Sequence, residues 1–380
     1  MQAVASSRSL FAVSDAVAYL NSASLGPRLH AVKEAGHAAV ERMATPWKIH
    51  TADWFADARR LRALFASLIG ARPDCVALVP SVSYGIAAAA RNVRVESGDN
   101  IVVVDQEYPS NFYSWQRLAR ERGAELRTAV ARGGTLADAI VSAIDRRTAV
   151  VAVSNCHWTN GMLIDLPRVG AAARKHDAAL VVDASQSLGV YPFEVDEVQP
   201  DFLVTVGYKW LLGPYGLGYM YVAERWHEYG TPLEESWLNR RGADDFASLV
   251  NYANDYQPGA QRFNQGESAQ FYLLPMAIAA LTQIVQWTPA RIQQQLSEWT
   301  RELSGRAPAL GLACVQPAQR VGHMIGLTAR NPLPSNLFSA LAARDVYVGA
   351  RGTNIRVSPH LHSTAADLER LVATLLELLG

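Results

Sequence analysis

Two short apolar runs end in side chains that could act together. Val181-Val182 leads into Asp183-Ala184-Ser185-Gln186, and one strand–helix–strand step later Thr205-Val206 leads into Gly207-Tyr208-Lys209-Trp210. In open α/β sheets, ligands bind beyond the carboxyl ends of the strands. A carboxylate and an amine at neighbouring strand ends would therefore face one crevice. That pair suits pyridoxal phosphate (PLP), which a lysine holds as a Schiff base while an acid stands beside the pyridinium nitrogen. The lysine must lose its proton to form the imine, and a confined site helps it do so. The acid keeps the ring nitrogen protonated, so that the ring can accept electrons from a carbanion at the substrate Cα. On these two residues alone, an Asp–Lys ion pair at a sheet edge is the plainer alternative.

A second feature adds to the first. The run Val76–Pro80 passes into Ser81-Val82-Ser83-Tyr84-Gly85 and then an Ala-rich helical stretch. Hydroxyls and free backbone N–H groups at a helix start suit a phosphate, although an ordinary serine N-cap reads the same way.

The elements that must position these groups are legible as alternating patterns. Strands are expected at Val76–Pro80, Ile101–Asp105, Glu125–Val130, Ala149–Ser154, Ala179–Asp183, Phe202–Val206 and Leu217–Val222. Runs such as Ile101-Val102-Val103-Val104 are continuously apolar and β-branched, as in parallel strands covered on both faces. Helical patterns at Ser83–Asn92, Asn111–Arg122, Leu136–Ile144 and Leu166–His176 separate them. The last two strands are joined by a short link carrying Gly213, Pro214 and Gly216, so one of them is free to run antiparallel. The expectation is an α/β fold with a seven-stranded, mostly parallel sheet. Residues 230–265 read as irregular. Beyond them come helices near Phe271–Trp287 and Pro289–Leu303, an extended piece at His323–Leu327, a helix at Pro334–Arg344, a strand at Ile355–Ser358 and a closing helix at Ala365–Leu379. The implied division is a large domain over 21–265, and a smaller α+β domain made of 1–20 with 266–380.

Composition narrows the class. The 380-residue chain is 49% hydrophobic and 18% charged, enough apolar content for a large core and unlike a disordered protein. Its 35 basic and 35 acidic residues cancel, so there is no electrostatic footprint for nucleic acid or an anionic membrane. No membrane span is expected either: the charge-free stretch from Ser268 to Ala290 is broken by Gln270, Pro275, Gln283, Gln286 and Pro289. The first 20 residues lack the continuous apolar segment of a secretory signal. Cys75, Cys156 and Cys314 lie far apart, which argues against a disulfide framework or a metal site and fits a reducing cytoplasm.

Taken in order, five short motifs carry a family resemblance: Tyr19-Leu20-Asn21-Ser22-Ala23-Ser24-Leu25-Gly26-Pro27, the Ser81–Gly85 turn, Asp183-x-x-Gln186, Gly207-Tyr208-Lys209, and Ile355-Arg356-Val357-Ser358-Pro359-His360. Over nearly its whole length the chain resembles the class V aminotransferases. These are the fold-type-I PLP enzymes that include cysteine desulfurases, kynureninase and isopenicillin-N-epimerase-like proteins.

The resemblance implies roles. Lys209 matches the Schiff-base lysine that shuttles the Cα proton, and Asp183 the pyridinium partner. Gln186 matches a contact to the ring hydroxyl. Val82, through its N–H, and Ser83 match the phosphate turn. Tyr208 matches a tyrosine that reaches the phosphate, where many relatives have histidine. Tyr108 falls where relatives place a ring over the cofactor. Asn155 matches an asparagine near the ring hydroxyl and the substrate carboxylate, and His157 and Trp158 follow in the same loop as pocket candidates. Arg356 matches the arginine that takes the α-carboxylate with its planar fork. The segment Arg262–Ser268 resembles one that crosses a homodimer to the neighbouring phosphate, with Gly266 or Ser268 as donor, although many relatives have Gly-Thr there.

One absence separates reactions within the family. Desulfurases carry a nucleophilic cysteine on a loop shortly before the carboxylate arginine. Here Gly349-Ala350-Arg351-Gly352-Thr353-Asn354-Ile355 is short and has none. The leading expectation is an aminotransferase in a homodimer with shared sites. A C–S β-lyase or an epimerase of the same family is the alternative.

Overall fold

Apolar, β-branched runs cannot leave either face in water, so they assemble into the middle layer of the molecule. In the computed structural model, which describes residues 7–379, these runs form one seven-stranded sheet. The N-terminal strand β1 (Ala18–Tyr19) and helices α1 (His30–Met43) and α2 (Asp53–Leu68) precede it. Strands β2 (Val76–Val79), β3 (Asn100–Val104), β4 (Glu125–Ala129), β5 (Thr148–Ser154), β6 (Ala179–Asp183), β7 (Phe202–Val206) and β8 (Gly218–Val222) alternate with α3 (Val82–Asn92), α4 (Pro109–Arg122), α5 (Leu136–Ala143), α6 (Leu166–Lys175) and α7 (Val195–Val198). The order across the sheet is β2-β8-β7-β6-β5-β3-β4. Only β8 runs antiparallel to its neighbours, as its short link from β7 allows. The two sides of the sheet carry separate apolar cores, one against α2, α5 and α6 and one against α3 and α4.

The rest of the chain builds a second layer system. Helices α8 (Leu273–Trp287) and α9 (Pro289–Arg306) lead to β9 (Leu312–Cys314), β10 (Ile325–Ala329), α10 (Leu337–Ala342), β11 (Val346–Tyr347), β12 (Gly349–Arg351), β13 (Asn354–Val357) and α11 (Ala365–Leu379). The antiparallel sheet β12-β13-β10-β9 packs with its helices around a third core. β1 pairs in parallel with β11, and Arg8 bonds to Asp367 Oδ2 at 2.8 Å and to the His362 carbonyl at 3.0 Å. The N-terminal arm thus ties into the tail; its first six residues lie outside the described range.

Several details depart from the sequence reading. The extended piece is Ile325–Ala329, two residues later than expected, because Val321 to Met324 are buried where they meet the loop at 161. The helix expected at Pro334–Arg344 shrinks to Leu337–Ala342. Helices α1 and α2 were not anticipated. They bury only narrow stripes and leave long polar faces in water, so their apolar signal is weak. Among the described residues no helix is long and apolar enough to cross a membrane.

Candidate active site

Strand ends converge as the pattern required. Ser154 and Asp183 are paired at the carboxyl ends of β5 and β6, and the Asn155 N–H donates to the Asp183 carbonyl at 3.3 Å. Lys209 follows β7 on a tight turn in which the Gly213 N–H donates to the Gly207 carbonyl at 2.8 Å. A Cβ on Gly207 would meet the Leu217 carbonyl at 2.8 Å, so only glycine lets β8 turn back this closely.

Lys209 is buried, and its amine is pushed down to about 8, first by burial and then by the positive charges of Arg356 and Arg351; Asp183 opposes this. Asp183 is also buried. Burial raises its carboxyl, while the Ser185 N–H on Oδ1 at 2.9 Å and the Lys209 charge pull the other way. The Lys209 amine lies 5.2 Å from the centre of the Tyr108 ring and 5.9 Å from that of Tyr208. Tyr108 ends its strand–loop at the start of α4, and its ring meets Trp158 edge-on at 5.4 Å.

The Ser81–Gly85 turn opens α3. The Ser81 hydroxyl caps α3 by accepting from the Tyr84 N–H at 3.2 Å, and it lies 2.9 Å from the Ser83 hydroxyl. The N–H groups of Val82 and Ser83, in the first turn, have no acceptor within the helix.

Other expected groups prove to be partly or wholly engaged. Gln186 donates to the Ala23 carbonyl at 3.1 Å and accepts from the Trp210 indole at 3.0 Å, leaving one amide hydrogen for a ligand. His157 has both ring nitrogens occupied, by the Thr159 hydroxyl at 2.8 Å and the Asp105 carbonyl at 3.1 Å, and burial lowers its pKa. The ring pins its loop and offers no free nitrogen to a substrate. Gly266 gives its N–H to the Glu234 carboxylate, and Ser268 is buried within its own chain. Their segment covers the free edge of β2, where Asn264 and Gln265 bond to Leu78.

Arg356 is buried on β13 and donates to the Trp158 carbonyl and the Ser24 hydroxyl, each at 2.8 Å. Burial and Arg351 bring it down to about 9, still charged at neutral pH. Ser24, Arg351 and Glu107 were not singled out from the sequence. Glu107 is buried and pushed up to about 8 by burial and by Asp183. Its Oε1 accepts from the Tyr108 N–H at 2.7 Å. A carboxylate just before a strand-end tyrosine was the only available signal.

These groups fit PLP. Among the described residues, Lys209 is the cation whose charge acts on Asp183, and a pyridinium would add a second. Asn155 Oδ1 and the Ser154 hydroxyl are buried without partners beside Asp183. The family model described as aminotransferase class-V matches residues 19–371. The chain belongs to this family.

Among its relatives, a probable cysteine desulfurase of Methanothermobacter thermautotrophicus is 27% identical over 84% of this chain and 83% of its own. The isopenicillin N epimerase of Amycolatopsis lactamdurans is 26% identical over 98% of both chains. Solved structures share the fold. The apo cysteine desulfurase of Thermococcus onnurineus NA1 superposes with a TM-score of 0.87 at 19% identity, over 100% of this chain and 98% of its own. A mutant of the protein called C-DES, with glycine covalently linked to its PLP cofactor, gives 0.86 at 20% identity, over 98% and 99%. PLP is the cofactor of this class V enzyme. When bound, it supplies the electron sink for charge that develops at Cα.

Proposed function

We propose that this class V enzyme is an aminotransferase acting at the Cα of an amino acid. The observation that carries action at Cα is the buried Lys209 amine beside Asp183, brought down to about 8 and so suited to act as a base near neutral pH. In this reading Lys209 removes and returns the Cα proton, and Asp183 keeps the ring nitrogen charged. Tyr108 would lie over the ring. Val82, Ser83 and Tyr208 would hold the phosphate, Asn155 and Gln186 would reach the ring hydroxyl, and Arg356 would take the α-carboxylate. Against persulfide chemistry stands the hairpin before Arg356: β12 and β13 are joined through Gly352 and Thr353 alone, with no cysteine.

A second reading, epimerisation or C–S β-elimination, draws on the names of the relatives. All three reactions begin with the same proton. They differ in where the next proton lands and whether a group leaves Cβ. The holoenzyme incubated with an amino-acid panel separates them. Keto-acid exchange that requires an acceptor keto acid supports transamination. Loss of optical purity without exchange overturns it in favour of epimerisation, and sulfide or ammonia with pyruvate in favour of elimination.

We also infer a cytoplasmic homodimer whose sites are completed by Gly266 and Ser268 across the two-fold axis. The large unit would span 21–265 and the small one 1–20 with 266–380. Mixing Lys209→Ala chains with chains altered at both Gly266 and Ser268 should restore part of the activity, because one hybrid site receives both intact halves. A fully active monomer in light scattering overturns the idea.

A further inference from the structure

The hairpin that presents Arg356 presents a second arginine. In β12–β13, Gly349 stands opposite Arg356 and Arg351 opposite Asn354. Residues directly opposite or two apart on a strand share a face, so Arg351 and Arg356 are diagonal neighbours on one side. Gly349 keeps that side open: a Cβ there would meet Arg356 Nε at 3.4 Å and Asn21 Oδ1 at 3.0 Å.

The two forks meet at one hydroxyl. Ser24 Oγ accepts from Arg351 Nη2 at 2.9 Å and from Arg356 Nη2 at 2.8 Å, and donates to Asn21 Oδ1 at 2.8 Å. A serine hydroxyl has one hydrogen and two lone pairs, so Ser24 is saturated and fixes the guanidiniums side by side. The Arg351 guanidinium also lies over the Trp158 ring, 5.5 Å from its centre.

Neither cation is paired with a carboxylate among the described residues, and the Nε of each is buried without a partner. Arg351 weakens the hold of Arg356 on its proton, and both arginines do the same to Lys209. Adjacent like charges drawn away from water are costly unless something anionic completes them. One α-carboxylate answers one of them.

We propose that Arg351 receives a second carboxylate of the substrate, so that the enzyme acts on amino acids carrying two acid groups. The inference rests on the reading in which Arg356 takes the α-carboxylate. It concerns binding and needs no turnover to be tested.

The experiment is calorimetric titration of the holoenzyme with glutarate and with butyrate, neither of which has an amino group to react. Glutarate should bind at least about tenfold more tightly, the scale of one added charge-assisted contact. In Arg351→Met the ratio of the two affinities should fall toward one, with Arg351→Lys recovering part of it. Equal binding of the two acids by the wild-type protein overturns the proposal without any variant. Equal weakening of both acids in a folded Arg351→Met protein also overturns it, since the two arginines would then share one carboxylate. Selective glutarate binding by a protein that turns over no amino acid supports the clamp and sinks the catalytic reading instead.

Discussion

Gly26 lies against the backbone of Lys209: its N–H donates to the Tyr208 carbonyl at 2.9 Å, and a Cβ on it would sit 2.1 Å from the Lys209 carbonyl oxygen. The N-terminal segment therefore packs directly on the backbone that carries the reactive amine. Gly26→Ala must push the two backbones apart, at about 1–3 kcal/mol for overpacking. Lower cofactor occupancy, read from the visible absorbance of the purified protein, and a lower Tm should result. A variant with wild-type absorbance and Tm would show that the segment yields freely.

Borohydride treatment of the holoenzyme should attach the cofactor to Lys209, located by peptide mass mapping. Asp183→Asn should leave substrate affinity nearly intact and lower kcat by roughly two orders of magnitude, as expected when one preorganised electrostatic group is removed. Attachment at another lysine, or near-normal kcat in the Asp183 variant, removes these assignments.

Glu107 predicts a pH dependence of stability. Its carboxyl is pushed up to about 8 in the folded protein, from an ordinary value of 4.5. Below about pH 4.5 the group is neutral in both states and costs nothing. As pH rises from there to about 8, the unfolded chain releases a proton that the folded chain keeps, so stability falls, by up to about 1.4 kcal/mol per pH unit. Glu107→Gln should remove this slope. In urea titrations of cofactor-free protein the variant should gain on wild type between pH 5 and 8. Parallel curves would mean that Glu107 is already ionised.

No cysteine is expected to matter for turnover. Cys75 and Cys156 are buried, and burial raises both thiols, the opposite of an activated nucleophile. Cys314 lies beside the Ser304 hydroxyl at 3.1 Å. Replacing all three with alanine should keep most of the kcat of the folded fraction. Arg356→Ala should instead raise KM strongly, with Arg356→Lys recovering only part. A folded, PLP-loaded triple variant without activity would return the reaction to sulfur transfer.

The strands and their ends could be read without coordinates, because burial on both faces writes itself into consecutive residues: Ile101–Val104, Val150–Val153 and Val181–Val182 declare a covered parallel sheet. Asp183 and Lys209 were legible for the same reason, since a polar side chain directly after such a run lies at the sheet's carboxyl edge. What the linear pattern does not contain is direction and partnership. His157 sits in the right loop, yet its ring turns to Asp105 and Thr159. Gln186 follows the right strand, yet spends most of its amide on Ala23 and Trp210. Ser24 meets Arg351 and Arg356 across more than three hundred residues of chain. Those pairings depend on side-chain rotation and on contacts between distant segments, whereas a periodic pattern records only which face of its own element a residue occupies.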